Sequence, residues 1–388
     1  MKIGIPKEIS DKETRVAVVP SMIPLLKKRQ HEVYVETSAG VKASFLDSQF
    51  QDAGAILVNG PRQIYSEVDV VLKFQAPQVN PTIGKHELEL LKEGAAIISS
   101  FLPLAQPKVI KTLLKRRITS FSMEYLPRIT RAQSMDVLSS MSTVAGYKAV
   151  LVAANHLGKF FPLLMTAAGT IPPASVLILG AGVAGLQAIA TARRLGAKVE
   201  AFDPRPVVKE QVESLGAQFI AMELPEDVET AGGYAKEQSE DFLNKEREAI
   251  STRLPKVDVV ISTAQIIGKP SPLLITEDMV KMMKSGSVIV DLAAAEGGNC
   301  ALTEANKVVE KFGVTIYGAV NLAKTLPIHA SEMHSKNMLN LFFHLYPSSE
   351  SNLDFSDDIT KNVCITHNGE IINETVRTSL KQEIAIHD

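Results

Sequence analysis

The sequence predicts an α/β protein with two doubly wound parallel-sheet domains, the second of which carries a GxGxxG turn. Short apolar runs alternate with amphipathic segments along most of the 388 residues, and strands separated by helices form parallel sheets covered on both faces. The length suits two domains, since a single domain usually takes about 100–200 residues. The clearest stretch runs from Val176 to Asp203 and reads as a complete strand–helix–strand unit.

This unit contains each part of a Rossmann-like fold in order. Val176 to Leu179 is a continuous apolar run, which is typical of a strand buried in a parallel sheet. Three glycines in GxGxxG spacing follow, at Gly180, Gly182 and Gly185. Apolar residues then recur at helical intervals until Gly196 ends the helix. Ala197 to Phe202 is predicted as the second strand, and Asp203 follows at its carboxyl end.

Each glycine has a predicted task in binding a dinucleotide. Gly180 makes the tight turn, Gly182 lets the backbone approach the pyrophosphate, and Gly185 lets helix and strand pack closely. The helix N-terminus offers N–H groups to the phosphates. Asp203 would accept hydrogen bonds from the adenosine ribose and repel the 2′-phosphate of NADP, so the unit favours NAD(H). FAD and S-adenosylmethionine sites use similar turns, and glycines that serve only packing are the plain alternative.

Composition and charge exclude several function classes. The formal net charge of -2 gives no general attraction to nucleic acid or to an anionic membrane. No signal peptide is predicted at the N-terminus, and the longest apolar stretch, Ala174 to Ala190, belongs to the strand–helix unit rather than to a transmembrane helix. Cys300 and Cys364 are too few for a disulfide framework, which favours a reducing cytoplasm. No metal site is predicted.

Enrichment in Pro and Ser next to a long helix suggests a domain boundary near residue 140. Residues 1–140 are predicted to form an N-terminal α/β domain, completed by about 325–388, and residues 141–324 to form the dinucleotide domain. The polar segment PRITRAQSMD, Pro127 to Asp136, is interpreted as a linker ahead of a helix from about Val144 to His156. Near the C-terminus, a helix is expected from Ser331 to Phe343 and a hairpin turning at Asn368-Gly369.

A charged insert without strand signals runs from Glu223 to Glu248. It contains Gly232, Gly233 and Tyr234, and a loop this long in a compact domain is usually functional or disordered. The two interpretations are a lid over bound nucleotide, with the glycines as its hinge, and a plain surface excursion.

Together, these segments resemble the NAD(H)-binding components of proton-translocating NAD(P) transhydrogenases, a family that shares a superfamily with alanine dehydrogenase. The resemblance covers nearly the whole chain and is carried by GIPKEISDKETRVAVVP, RITRAQSMDVLSSMSTVAGYKAV, MTAAGTIPPASVLILGAGVAGLQAIATARRLGA, KEQVESLGA, ETAGGYAKE and GSVIVDLAAAEGGNC. These motifs together are far more specific than a glycine turn alone.

The resemblance implies roles for named residues. The RAQSMD segment of the family reaches the nicotinamide and its ribose, which assigns the catalytic set to Arg128, Gln133, Asp136 and Ser139. A mobile tyrosine of the family corresponds to Tyr234. The implied cofactor-binding set is Gly180, Gly182, Val183, Ala184, Gly185, Asp203, Arg205, Tyr234, Ala264 and Gln265. The plain alternative for the RAQSMD residues is a set of satisfied linker side chains.

The resemblance also implies a function and partners. The chain would bind NAD(H) and exchange hydride with NADP(H) held on an NADP-binding beta subunit, coupled to proton movement by a membrane-spanning subunit. A homodimer is implied, located in the cytoplasm and attached to the inner membrane through its partners. The chain departs from the family at Pro204, where valine is usual, at Ala295, where an acid is usual, and at Thr325, where an arginine is usual.

Alanine dehydrogenase is the main alternative, because Arg15 and Lys73 match its pyruvate-binding cations. Oxidation of an amino acid moves protons as well as a hydride and therefore needs an acid or base near the substrate. The alanine enzymes have a histidine where this chain has Pro103 and an aspartate where it has Ala295. Hydride transfer between nicotinamides requires positioning only. A noncatalytic NAD-sensing protein is the third alternative.

Overall fold

A computed structural model of the chain describes residues 1–10, 12–222, 239–266, 270–348 and 352–387, with side chains up to residue 380. The chain divides into two compact units, one formed by Met1–Met141 with Lys324–Asp388 and the other by Ser142–Ala323. Gly232, Gly233 and Tyr234, the predicted lid residues, lie outside the described residues.

Strands and short helices alternate along the first 141 residues. The strands are β1 (Lys2–Ile5), β2 (Glu32–Glu36), β3 (Ile56–Val58), β4 (Val70–Gln75), β5 (Val79–Asn80), β6 (Lys85–His86), β7 (Ala96–Ser100) and β8 (Thr119–Ser122). The helices are α1 (Ile23–Lys28), α2 (Asp47–Asp52), α3 (Pro61–Glu67), α4 (Glu87–Leu90) and α5 (Pro107–Lys115).

The same alternation continues in the middle of the chain and beyond it. The middle elements are α6 (Val137–His156), β9 (Leu164–Thr166), β10 (Gly169–Ile171), β11 (Ser175–Leu179), α7 (Val183–Arg194), β12 (Lys198–Phe202), α8 (Lys209–Ser214), β13 (Gln218–Phe219), α9 (Glu240–Ser251), β14 (Val259–Ser262), α10 (Glu277–Lys281), β15 (Val288–Asp291), β16 (Val308–Lys311) and β17 (Val314–Gly318). The last elements are α11 (Pro327–Leu345), α12 (Asp358–Val363), β18 (Cys364–His367), β19 (Glu370–Ile371) and α13 (Glu374–His387).

The first unit is built on a sheet of eight strands in the order β19-β18-β8-β7-β4-β1-β2-β3. The six strands of this sheet that come from the first 141 residues pair in parallel, whereas β18 and β19 add an antiparallel edge from the C-terminal part of the chain. The predicted hairpin turn is confirmed, since both Asn368 and Gly369 have positive φ. The C-terminal return therefore completes this sheet.

The second unit is built on a sheet of seven strands in the order β13-β12-β11-β14-β15-β17-β16. All of its strands are parallel except the edge strand β16, which pairs antiparallel with β17 and is absent from the sequence prediction. The side chains of Val176 to Leu179 are fully buried, because helices cover both faces of a parallel sheet. The strand order reverses next to β11, and in such sheets ligands bind outside the carboxyl ends of the strands at this point.

Helix α6 begins at Val137, seven residues before its predicted start, because Asp136 caps its N-terminus. The Asp136 Oδ1 atom accepts a hydrogen bond from the Ser139 N–H at 2.9 Å, which satisfies one of the free donors of the first turn. By length and composition alone α6 is apolar enough to cross a membrane, and it is the only such helix among the described residues. Its Ala149, Val150 and Ala153 are fully buried in the core of the second unit.

Candidate functional site

The turn between β11 and α7 has the three properties that a dinucleotide requires. Gly180 has φ of +93°, which L side chains rarely adopt. A Cβ atom on Gly185 would lie 1.8 Å from the carbonyl oxygen of Gly180, so only glycine allows this packing. A Cβ atom on Gly182 would meet no atom within 4 Å, so its position faces open space. The turn is therefore closed by two glycines and accessible at the third.

Helix α7 supplies the donors of this turn. Gly182 is its N-cap and provides no side-chain cap, and Val183, Ala184 and Gly185 form the first helical residues. The N–H groups of a first helical turn have no partners within the helix and carry a partial positive charge. An anionic group placed against Gly182 would meet these donors, so the residues present fit a pyrophosphate.

Asp203, at the carboxyl end of β12, is 4% exposed and already makes several hydrogen bonds. Its Oδ2 atom accepts from the Ala181 N–H at 2.7 Å and from the Arg205 guanidinium at 2.8 Å. Its Oδ1 atom accepts from the Arg205 backbone N–H and Nε, both at 2.9 Å. Asp203 thus orders the glycine turn as well as the turn that follows β12, and its role toward a ribose stays a prediction.

A second buried acid, Glu246 on α9, is not singled out by the sequence. It is 4% exposed, and burial together with the nearby charge of Asp203 raises its pKa to about 7. It lies within the segment EDFLNKEREAIS, where half of the residues are charged and nothing in the residue types marks the one acid that faces inward. Only the helical register, with Phe242 and Ile250 buried on the same face, could have indicated it.

The segment after β14 borders the glycine turn. The Thr263 hydroxyl donates to the carbonyl oxygens of Leu179 and Gly180, at 3.2 and 3.1 Å. Ala264 and Gln265, two predicted cofactor-binding residues, follow directly. The Gln265 Nε2 atom donates to the Leu292 carbonyl oxygen at 3.1 Å and to Glu296 at 3.2 Å. The structure therefore brings the described members of the predicted cofactor set to the carboxyl ends of β11, β12 and β14.

Gly146 is a further residue that sequence analysis missed. A Cβ atom there would lie 2.1 Å from the carbonyl oxygen of Ala184, so any side chain would push α6 away from the first turn of α7. The only signal in the sequence is a glycine inside a helical pattern, which indicates close packing.

The predicted catalytic residues lie in the first unit. Arg128 and Gln133 are exposed, and Gln133 belongs to a 3-10 helix, Thr130–Met135. Buried Ala132 and Met135 anchor this short helix in the core. Asp136 accepts hydrogen bonds from the N–H and the hydroxyl of Ser139, at 2.9 and 2.6 Å. The geometry gives Asp136 and Ser139 a helix-capping role, beside the catalytic role that stays a prediction.

Two anchors from the C-terminal part of the chain hold the same segment. The side-chain amides of Asn337 and Asn340 on α11 both donate to the carbonyl oxygen of Ser134, at 2.9 Å. Arg131 forms an ion pair at 3.1 Å with Asp357, which also bonds His344. These bonds fix the backbone on either side of Gln133 while its side chain stays exposed.

Comparisons with known proteins show to which family the chain belongs. The family "Alanine dehydrogenase/PNT, N-terminal domain" matches residues 4–145, and "Alanine dehydrogenase/PNT, C-terminal domain" matches residues 149–374. The chain belongs to the alanine dehydrogenase/PNT family. It is 48% identical over 377 residues to an NAD(P) transhydrogenase subunit alpha chain from Rhodospirillum rubrum, covering 96% of this chain and 98% of that protein.

Solved structures of the family share the fold. The transhydrogenase from Sinorhizobium meliloti superposes with a TM-score of 0.85 at 39% identity, covering 96% of this chain and 100% of that one. Among the relatives found by sequence, an alanine dehydrogenase from Staphylococcus epidermidis is more distant, 34% identical over 84% of this chain and 82% of that protein. The resemblance and the α/β fold class with two parallel-sheet domains are confirmed.

Arg15 and Lys73, which match the pyruvate-binding cations of alanine dehydrogenase, both form buried ion pairs. The Arg15 Nε atom lies 2.6 Å from Glu13 Oε1, and a second bond joins its Nη2 to Glu13 Oε2 at 2.7 Å. Lys73 is fully buried, with its Nζ atom 2.6 Å from Glu8 and 3.6 Å from Glu87. Both cations are therefore neutralised by buried glutamates of the chain itself, which favours a structural role.

The other two positions of the amino-acid enzymes carry apolar side chains here. Pro103 begins a 3-10 helix, Pro103–Ala105, and its neighbours Leu102 and Leu104 are 60% and 43% exposed. Ala295 is exposed, and the neighbouring Glu296 accepts a hydrogen bond from Gln265. Glu296 carries the only carboxylate of the segment from Ala293 to Cys300, and burial raises its pKa.

Proposed function

We propose that this chain binds NAD(H) in its second unit and presents the nicotinamide C4 to NADP(H) held on a partner subunit. The accessible glycine turn is the observation that carries the proposal: Gly182 faces open space at the N-terminus of α7, between Asp203 on one side and Ala264 on the other. The identity of 48% to a transhydrogenase subunit over nearly the full length supports the same assignment.

The bound nicotinamide supplies the hydride in this proposal, and the residues of the chain supply position. Val183, Ala184 and Gly185 offer their N–H groups to the pyrophosphate, and Asp203 with Arg205 borders the adenosine ribose. Gln133 and Arg128 orient the nicotinamide from a segment whose backbone is held by Asn337 and Asn340. Hydride transfer between two nicotinamides needs no general acid or base. Arg15 and Lys73, which match the pyruvate-binding cations of alanine dehydrogenase, are already paired with buried glutamates, which weighs against an amino-acid substrate.

The partners follow from the same proposal. They are an NADP-binding beta subunit and a membrane-spanning subunit that couples hydride transfer to proton translocation. The chain itself would act as a homodimer in the cytoplasm, attached to the inner membrane through these partners. It would bind nucleotide by itself and complete the reaction only with the beta subunit.

Reconstitution with the NADP-binding subunit tests the proposal. NADH should reduce NADP⁺ or an NADP analogue only when both proteins are present, and pyruvate with ammonium should oxidise no NADH. Oxidation of NADH by pyruvate and ammonium without the partner would instead identify an amino-acid dehydrogenase. Tight NADH binding with neither reaction would identify a noncatalytic NAD-binding protein.

A further inference from the structure

Asn299 is a fully buried residue that connects β15 to the segment after β14 through its backbone. Its N–H donates to Asp291 Oδ2 at 2.8 Å. Its carbonyl oxygen accepts from the N–H groups of Leu274 and Ile275, both at 2.9 Å. Both backbone groups of Asn299 are thus bonded to groups on other segments of the chain.

The side-chain amide of Asn299 forms two hydrogen bonds with the backbone of Ala264, a residue of the predicted cofactor set. Its Oδ1 atom accepts from the Ala264 N–H at 3.1 Å, and its Nδ2 atom donates to the Ala264 carbonyl oxygen at 2.9 Å. The second Nδ2 proton goes to the Pro272 carbonyl oxygen at 2.8 Å. A primary amide has two donors, and here both are used. The side chain therefore pairs with Ala264 as a neighbouring strand would.

Asp291 holds the backbone of Asn299 through a hydrogen bond to its N–H. It is fully buried at the carboxyl end of β15 and accepts hydrogen bonds from Ser262, Ala293, Asn299, Cys300 and Thr303. Gly298 has φ of +85°, and a Cβ atom there would lie 2.7 Å from Asp291 Oδ2. Glycine at 298 is therefore what allows the chain to bring Asn299 back over the carboxylate.

The sheet order decides which half of a dinucleotide Ala264 would meet. Strand β11 with the glycine turn has β12 on one side and β14 on the other. A dinucleotide spans this switch point, with its adenosine ribose at the acid that follows the second strand. Asp203 is that acid and follows β12. Ala264 follows β14, on the opposite side of the glycine turn, where the nicotinamide half must lie.

We propose that Asn299 is a positioning residue that presets the nicotinamide half of the site by holding Ala264 in place before nucleotide binds. This inference rests on the proposed NAD(H) function. It adds a residue that touches no nucleotide in the proposal and acts only through Ala264. Removing the amide would leave both backbone groups of Ala264 without their buried partner, and the segment would have to be ordered at the moment of binding.

Two substitutions test the inference by comparing NADH with ADP-ribose, which lacks the nicotinamide. Asn299→Ala removes the amide, and Asn299→Asp places an oxygen against the carbonyl oxygens of Ala264 and Pro272. The dissociation constant for NADH should rise about tenfold or more in both variants, and that for ADP-ribose less than about twofold. Asn373→Ala is the matched control, since it removes another buried amide, which bonds Asn362 and Val376 but no group around Ala264, and it should leave the ratio of the two constants unchanged.

Equal losses for NADH and ADP-ribose, or no loss for either, would overturn the inference, because a merely structural role does not distinguish the two ligands. Failure of the unmodified protein to bind NADH would instead refute the proposed function. If the variants do not fold, amide exchange of the unmodified protein decides. The Ala264 N–H should exchange slowly without nucleotide, and fast exchange that NADH alone slows would contradict presetting.

Discussion

Arg205 holds both carboxylate oxygens of Asp203, with Nε 2.9 Å from Oδ1 and Nη2 2.8 Å from Oδ2. This two-point geometry is the strong form of a carboxylate–guanidinium pair. The sequence predicts that Asp203 repels the 2′-phosphate of NADP by its charge. The pairing changes that argument, because the same carboxylate also keeps the Arg205 guanidinium from meeting a phosphate.

Asp203→Ala should therefore change nucleotide selectivity as well as affinity. NADH binding should weaken by about 1–3 kcal/mol, the cost of leaving buried partners unpaired. NADPH binding should improve, since Arg205 is released to meet the 2′-phosphate. Fluorescence titration of both nucleotides checks this, and Arg205→Ala in the same background should remove the gain. Equal weakening of NADH and NADPH would contradict the account.

Gly182 and Gly185 should respond oppositely to alanine. Gly182→Ala adds a methyl group to open space, so stability should hardly change while the pyrophosphate is blocked and NADH binding falls about tenfold or more. Gly185→Ala places a Cβ atom against the Gly180 carbonyl oxygen and should lower the free energy of unfolding by about 1–3 kcal/mol. Thermal denaturation and NADH titration of both variants separate the effects. Normal NADH affinity in folded Gly182→Ala would refute the role of this glycine.

Glu246 should make stability decrease as pH rises from about 4.5 to about 7. Its folded-state pKa of about 7 lies above the ordinary value of 4.5, so the folded chain binds more protons in this window than the unfolded chain does. Glu246→Gln should remove the loss and stabilise the protein at pH 8 by about 1–3 kcal/mol. Urea denaturation of the unmodified protein and of Glu246→Gln at pH 5 and pH 8 measures the free energy of unfolding. Exposed Glu248 on the same helix is the control, and Glu248→Gln should leave the free energy of unfolding unchanged at both pH values.

The sequence predicts elements that depend on local signals better than those that depend on side-chain contacts. The strand–helix unit from Val176 to Asp203 is predicted closely, because glycine spacing and apolar periodicity are local signals. The start of α6 is missed because Asp136 and Ser139 read as linker residues, and the cap shows only in three dimensions. The pairing of Asp203 with Arg205 is missed for the same reason.

Contacts between distant residues account for what the sequence does not predict. Asn299 reaches Ala264 across 35 residues, and Asn337 reaches Ser134 across 203. Most asparagines are solvent-exposed, and nothing in the sequence distinguishes Asn299 and Asn337 from those. Edge strand β16 is missed because Val308–Lys311 is half polar and exposed, so it lacks the continuous apolar run of a buried strand.

Gln133 should affect the rate of hydride transfer more than nucleotide affinity. Its backbone is fixed through Ser134 by two asparagines, so Gln133→Asn withdraws the amide by one methylene without moving the segment. A displacement of about 1 Å can slow transfer by about 100-fold, whereas the adenosine half stays anchored. Single-turnover transfer and NADH affinity are measured for the same variant, with exposed Gln51→Asn as control. Affinity that falls as far as the rate would contradict a positioning role.

Isotope transfer tests most directly whether hydride passes from the NADH of this chain to NADP⁺ on its partner. NADH deuterated at the transferred C4 position is mixed with the reconstituted subunits and NADP⁺, and the product is analysed by mass spectrometry. Direct transfer should give NADPH that carries the deuterium, with none lost to water. Deuterium that appears in water, or in alanine when pyruvate and ammonium are added, would contradict it.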